Sequence, residues 1–193
     1  MTAPDTQPEP DTGLPPKTWQ LSALPEQLWF NALWFQLTWF SAVLGREDWI
    51  YLTAAMIGLH LLLVRRPLPE CYRLLPLAML GVVTDCLLSY SGVFQFETSG
   101  LIPLWLCAVW LAFATTLTRS LKFLRDRLWL ASLLGATAAP LNYGAGQRLG
   151  AVEFGYPLLP TMALLALIWA LLLPALSWAA DHLSQTSSRQ MSL

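Results

Sequence analysis

Charge is scarce in this chain. Asp, Glu, Lys and Arg make up only 12% of it, against about 25% in an average soluble domain. With 55% of residues hydrophobic, that shortage argues against a soluble globular protein. Histidine is scarcer still: His60 and His182 are the only two, which excludes a multi-histidine metal centre. The three cysteines, Cys71, Cys86 and Cys107, show no C-x-x-C spacing and read as buried free thiols acting as small hydrophobes. There is no H-E-x-x-H, no G-x-S-x-G and no Walker loop. The glycines at Gly144, Gly146 and Gly150 follow no strand and have the wrong spacing for a dinucleotide fingerprint. No motif supports an enzyme, and neither a metal, a cofactor nor a nucleic-acid partner is expected.

What the chain does have is long apolar runs. A membrane-spanning helix needs about 20 mostly apolar residues at about 1.5 Å rise each. Six candidates appear, over about 27–45, 49–64, 74–93, 101–117, 128–143 and 158–180. Two are short and call for tilt, local thinning or oligomerisation. A soluble bundle would show a polar face every third or fourth residue. The stretches LIPLWLCAVWLAFATTL and TMALLALIWALLLPALSW are apolar all round. A chain this small cannot wrap six such helices in protein, so the expected fold is all-α: a polytopic bundle of six transmembrane helices in lipid.

Residues 1–26 differ in kind. They hold Pro4, Pro8, Pro10, Pro15, Pro16 and Pro25 together with Asp5, Glu9 and Asp11. Such a segment buries too little apolar surface to offset its ordering entropy, and it lacks the basic start and apolar run of a secretory signal. The expected organisation is a flexible Pro-rich tail over 1–26, a transmembrane domain over 27–180 and a short tail over 181–193. With six spans, Lys17, Arg65, Arg66, Arg73, Arg119, Lys122, Arg125, Arg127 and Arg189 fall on one side, and only Arg46 and Arg148 on the other. That bias puts both termini in the cytoplasm. In RSLKFLRDR, the bases Arg119, Lys122, Arg125 and Arg127 interleave with Leu121, Phe123 and Leu124. They read either as a plain inside anchor or as ligands for anionic lipid headgroups.

Polar side chains at membrane depth are costly and point to function. Asp85 lies about 16 Å into the third span, near the midplane. Gln36 lies at a similar depth in the first span, so a Gln36–Asp85 pair is expected. Asn31 and His60 lie nearer the cytoplasmic surface and are expected to share a second layer, with His60 the nearest base to Asp85. Asp85 has three readings: a neutral hydrogen-bonded acid, a proton or cation relay, or a catalytic acid or base. Pro140, followed by Asn142, Tyr143 and three glycines, either interrupts the fifth span beside a cavity or ends it at the outer surface. Trp29, Trp49, Trp129 and Trp178 fall near span ends, as interfacial rings do. Trp34, Trp39, Trp105 and Trp110 lie deeper, either as packing or as an aromatic groove for an acyl chain. LWFNALW at 28–34 is similar to LWLCAVW at 104–110, a match that fits an inverted repeat of the transporter kind.

Several stretches resemble a family of small bacterial inner-membrane proteins, domain of unknown function 2878. They are Asn31, Phe35, Gln36, Trp39 and Phe40; Gly81 and Asp85; PLWLCAVWLAFATTL at 103–117 with Ser120 and Leu121; and Pro140, Leu141, Tyr143, Gly146 and Gly150. The similarity covers roughly 27–175. Arg119 stands where the resemblance leads one to expect a histidine. The resemblance implies a multi-span inner-membrane fold without an established activity, and a genetic association with fatty-acyl-modifying enzymes. The expected function is therefore the binding, handling or modification of a membrane lipid or other apolar molecule. Expected partners are membrane lipids and a membrane protein partner or a second copy. The alternatives are a small proton-coupled transporter and a structural membrane subunit.

Overall fold

A computed structural model describes residues 24–190, apart from Ser99 and the side chains of residues 186–190. The Pro-rich tail expected over 1–26 therefore lies outside the described residues, except for a 3-10 turn at Leu24–Glu26. Six helices follow: α1 (Leu28–Gly45), α2 (Ile50–Leu63), α3 (Pro67–Tyr90), α4 (Leu104–Thr118), α5 (Leu128–Arg148) and α6 (Leu158–Gln190). A 3-10 turn at Lys122–Leu124 links α4 to α5. Two short strands, β1 (Phe94–Gln95) and β2 (Glu153–Phe154), pair antiparallel, Phe94 opposite Phe154, and tie the α3–α4 and α5–α6 connections together. The described chain is otherwise all-helical.

Local chemistry explains most helix ends. Arg46 takes φ 48°, which turns the chain after Gly45. Gly92 at φ 78° and Gly150 at φ 72° turn it after α3 and α5, a conformation glycine adopts without a Cβ penalty. Pro67 is the first residue of α3, where a missing N–H costs nothing. For that reason α3 starts seven residues before the apolar run that begins near Leu74. Pro140 neither breaks nor ends α5, contrary to both expectations. The helix passes through it to Arg148, just as α3 passes through Pro76 and α6 through Pro174. Pro140 is buried, and α5 lies along α6 in the most extensive helix pair of the fold. That packing outweighs one lost backbone hydrogen bond. The segment over 181–190, expected as a tail, continues α6.

Helix α4 is the hub. Nine of its 15 residues are buried, and it touches α1, α2, α3 and α6. Helices α5 and α6 form a separate hairpin, joined to the rest chiefly through contacts of α6 with α3 and α4. Gly135 makes that hairpin tight: a Cβ there would run into the Trp169 carbonyl oxygen, with Leu173 Cβ also close by. Opposite ends of the bundle differ in charge. One end carries Arg65, Arg66, Arg73, Arg119, Lys122, Arg125 and Arg127, close to the helix ends at 63–73 and 118–128. The other carries β1, β2, Arg46 and Arg148.

Among the described residues, two helices are long and apolar enough to cross a membrane, Pro67–Tyr90 and the Leu158–Gln185 part of α6. Ile50–Leu63 and Leu104–Thr118 are apolar but shorter. At about 1.5 Å per residue the 14-residue α2 is roughly 21 Å long, less than the roughly 30 Å of a hydrocarbon core.

Replacing Gly135 with Leu is expected to lever α5 from α6 and cost about 1–3 kcal/mol. Denaturant unfolding of the detergent-solubilised chain checks this; an unchanged midpoint contradicts the close approach.

Candidate functional site

Asp85 is completely buried, at 0% exposure. It receives a hydrogen bond from Trp110 Nε1 at 2.6 Å on one carboxyl oxygen and from the Tyr143 hydroxyl at 2.8 Å on the other. One carboxyl group thus joins α3 to α4 and to α5. The local sequence makes room for it. Gly81 lies one turn before Asp85 on the same face of α3, and a Cβ at Gly81 would overlap the Trp110 ring. The missing side chain admits the indole, and Asp85 takes its N–H. The far face of Trp110 stacks on Trp169 of α6, with centroids 5.4 Å apart and planes 6° from parallel. Tyr143 stacks on Phe94 of β1 at 4.9 Å.

Trp110, Tyr143 and Trp169 form part of the wall of a cleft of about 240 Å³. It lies between α1 and α4 on one side and α5 and α6 on the other, and it runs from Leu121 and Leu124 at the basic end to Ala151 and Val152 at the strand end. Phe35, Trp39, Trp105, Leu134 and Leu173 make its surface almost wholly apolar. Asn142 is exposed and also lines it. Trp169 is buried, and its Nε1 has no hydrogen-bond partner, although it lies near the Tyr143 hydroxyl. Such a site can hold a flexible apolar chain and offer few polar groups along its length. Of the deep tryptophans, Trp39, Trp105 and Trp110 are core residues that also line the cleft, whereas Trp34 lines a second cavity.

Other expected neighbours are not brought together. Gln36 is exposed and is no partner of Asp85, whose two oxygens are taken by Trp110 and Tyr143. Equal depth fixed neither residue's direction around its helix: Phe35, Thr38 and Trp39 turn inward and Gln36 outward. Asn31 is not bonded to His60, although Thr115, its partner, lines the same cavity as His60. Asn31 Nδ2 donates to Thr115 Oγ1 at 3.1 Å, and its Oδ1 accepts from Ser120 Oγ at 2.7 Å and Ser120 N at 3.3 Å. That network ties the start of α1 to the end of α4. His60 is buried, with no hydrogen-bond partner for either ring nitrogen among the described residues, and it lines a second cavity of about 150 Å³. Its charged neighbours are Arg119 and Glu70. The three cysteines are free and half-buried rather than buried.

The four bases expected at headgroups divide into two kinds. Lys122 and Arg127 are exposed. Arg119 is buried, paired with the equally buried Glu70, and reached by Glu26 at 3.4 Å. Arg125 turns in to Asp181 at 3.3 Å and Ser184 at 3.2 Å. Sequence reasoning missed Trp110 as the partner of Asp85, and it missed Glu70 altogether. The signal for Glu70 was Pro67, which marks a helix start and so places Glu70 on α3 rather than in a loop.

A family model matches residues 28–175. The chain belongs to DUF2878, a family described as proteins of unknown function. No curated protein and no solved structure matches it. The matched region of this DUF2878 protein takes in all of Asp85, Trp110, Tyr143 and Trp169, and therefore the whole cleft.

Tyr143→Phe removes one of two hydrogen bonds to a buried acid and is expected to cost about 1–3 kcal/mol. Glu70→Ala strands the buried Arg119 and is expected to cost more, about 3–5 kcal/mol. Unfolding of both variants in one detergent gives the order; a Glu70 variant as stable as wild type would contradict the buried pair.

Proposed function

We propose that this DUF2878 protein is a six-span protein of the bacterial inner membrane, with both termini cytoplasmic, whose cleft holds an acyl chain of a membrane lipid or another apolar molecule. The observation that carries this reading is the apolar cleft of about 240 Å³ with a buried acid clamped behind its wall. Large apolar side chains point outward from every helix: Leu33 and Leu44 on α1, Leu62 on α2, Leu87 on α3, Leu104 on α4, Leu141 on α5 and Leu159 on α6. Soluble monomers rarely expose contiguous apolar patches above several hundred Å², whereas lipid accepts such a surface. The concentration of bases at one end supports the orientation. The shorter helices α2 and α4 fit a bilayer by tilt or local thinning. A partner enzyme working at the membrane surface would meet the basic end.

A second reading is favoured by the position of Asp85, where three helices meet beside the cleft. There an acid suits a small proton-coupled transporter. Asp85→Asn separates the two. An amide keeps both bonds, accepting from Trp110 through its oxygen and donating to the Tyr143 oxygen through its nitrogen. The fold is expected to survive, proton coupling of a transporter to be lost, and a lipid holder to be unaffected.

Ala139→Phe, which fills the cleft, is expected to reduce co-purifying lipid or other apolar ligand several-fold in native mass spectrometry. If the variant retains the wild-type ligand, and lipid extracts of cells lacking the protein match wild type under stress, the cleft reading fails.

A further inference from the structure

The cavity that holds His60 is a different space from the cleft. Residues of α1, α2, α3 and α4 wall it, and Phe35 stands between the two spaces, lining both. Its volume is about 150 Å³, and an apolar cavity of about 150 Å³ takes one benzene-sized ring. Two polar side chains in its wall are committed. Thr38 Oγ1 donates to the Trp34 carbonyl at 2.8 Å. Thr115 Oγ1 donates to the Ala112 carbonyl at 2.7 Å and accepts from Asn31. His60 is not committed. It is 2% exposed, and neither ring nitrogen has a hydrogen-bond partner among the described residues. A buried polar group without a partner bears its whole desolvation cost. A ligand group that reached His60 would offset it.

The walls narrow the chemistry of that group. The rest of the lining is almost wholly apolar, and an unpaired charge is far costlier there than a neutral polar group. The charged neighbours of His60, Arg119 and Glu70, are already paired with each other. The group is therefore neutral. A neutral imidazole carries one N–H and one bare nitrogen. A hydroxyl accepts from the first or donates to the second, so it serves whichever nitrogen faces it; a carbonyl or an ether serves only the N–H. Beside the imidazole, Trp34 and Phe35 offer flat faces to a ring. The way in lies between α2 and α3, which each pack more closely on α4 than on one another. Ile57 of α2 is half-buried and Leu75 of α3 is exposed, and both line the cavity.

We infer that this cavity is a second binding site, distinct from the cleft, for a lipid-soluble phenol. The ring enters between α2 and α3 and packs among Trp34, Phe35 and Leu74. Its hydroxyl bonds to a His60 nitrogen, and its apolar tail stays outside, against Leu75. The inference depends on the membrane reading only for where such a molecule comes from.

Native mass spectrometry of the full chain in detergent tests it with three probes of equal tail length: 4-decylphenol, decylbenzene, which lacks the hydroxyl, and 1-decanol, which lacks the ring. The expected result is one site that binds 4-decylphenol at least roughly tenfold more tightly than either other probe. His60→Leu is expected to abolish the preference over decylbenzene. Its unfolding midpoint without ligand is expected to be no lower than wild type, because an apolar side chain of similar size removes two unsatisfied nitrogens. Leu75→Trp, at an exposed position in the opening, is expected to weaken 4-decylphenol several-fold with unchanged unfolding. On the wild-type chain, equal binding of decylbenzene would remove His60 from the site, and equal binding of decanol would remove the ring. No binding of 4-decylphenol would leave the cavity to water. Any of these overturns the inference, as does a preference that survives His60→Leu. Ala139→Phe in the cleft is expected to leave the preference unchanged; its loss there would place the phenol in the cleft instead. Failure here and failure of the cleft reading are thereby told apart.

Discussion

The buried carboxyl of Asp85 is the constraint from which the rest of the arrangement follows. An acid with no access to solvent needs partners, and its two come from two other helices, Trp110 on α4 and Tyr143 on α5. To reach it, the indole must lie flat against α3, and Gly81 permits this. Once there, its other face meets Trp169, whose backbone is in turn closely approached by Gly135. A single row of contacts, Gly81 to Trp110 to Trp169 to Gly135, therefore crosses α3, α4, α6 and α5. It holds the α5–α6 hairpin to the other four helices through few residues and leaves the cleft beside them.

The basic end is held by a different interaction with the same logic. Arg119 and Glu70 exclude each other's water, and their pairing keeps α3 against the end of α4. Asn31 performs the neutral version of this task between α1 and α4. Arginines drawn into such pairs are not available as surface anchors. Arg73, Arg119 and Arg125 are drawn into such pairs with Glu70 and Asp181, whereas Lys122 and Arg127 face outward. Removing a partner from a buried ion pair is far costlier than losing an exposed one.

Much was legible without coordinates. The six helices lie where the apolar runs do, because a run of about 15 to 30 residues with no polar face has no other way to satisfy its backbone in lipid or in a dry core. Asp85 stood out for the same reason, as a charge-bearing residue deep in such a run, and Tyr143 was marked beside it. The failures share one cause. Gln36 matches Asp85 in depth, and Asn31 matches His60, but depth is one coordinate. Rotation about each helix axis is the other, and in helices this uniformly apolar no polar stripe reveals it. Proline misled for a related reason, since a local rule met long interhelical packing along α5 and α6.

What the chain's own order of residues settled is therefore a list of segments and their polarity: six apolar helices, a charge asymmetry between their ends, and membership of the family that matches 28–175. Those are local properties, fixed by side-chain chemistry and run length. Only the folded chain decided which faces meet: that Trp110 and not Gln36 completes Asp85, that Arg119 turns inward to Glu70, that His60 faces an apolar cavity without a partner. The first two depend on contacts between residues 25 and 49 positions apart. No periodicity within one helix can encode such contacts, because the rotation and tilt of each helix come from how all of them pack.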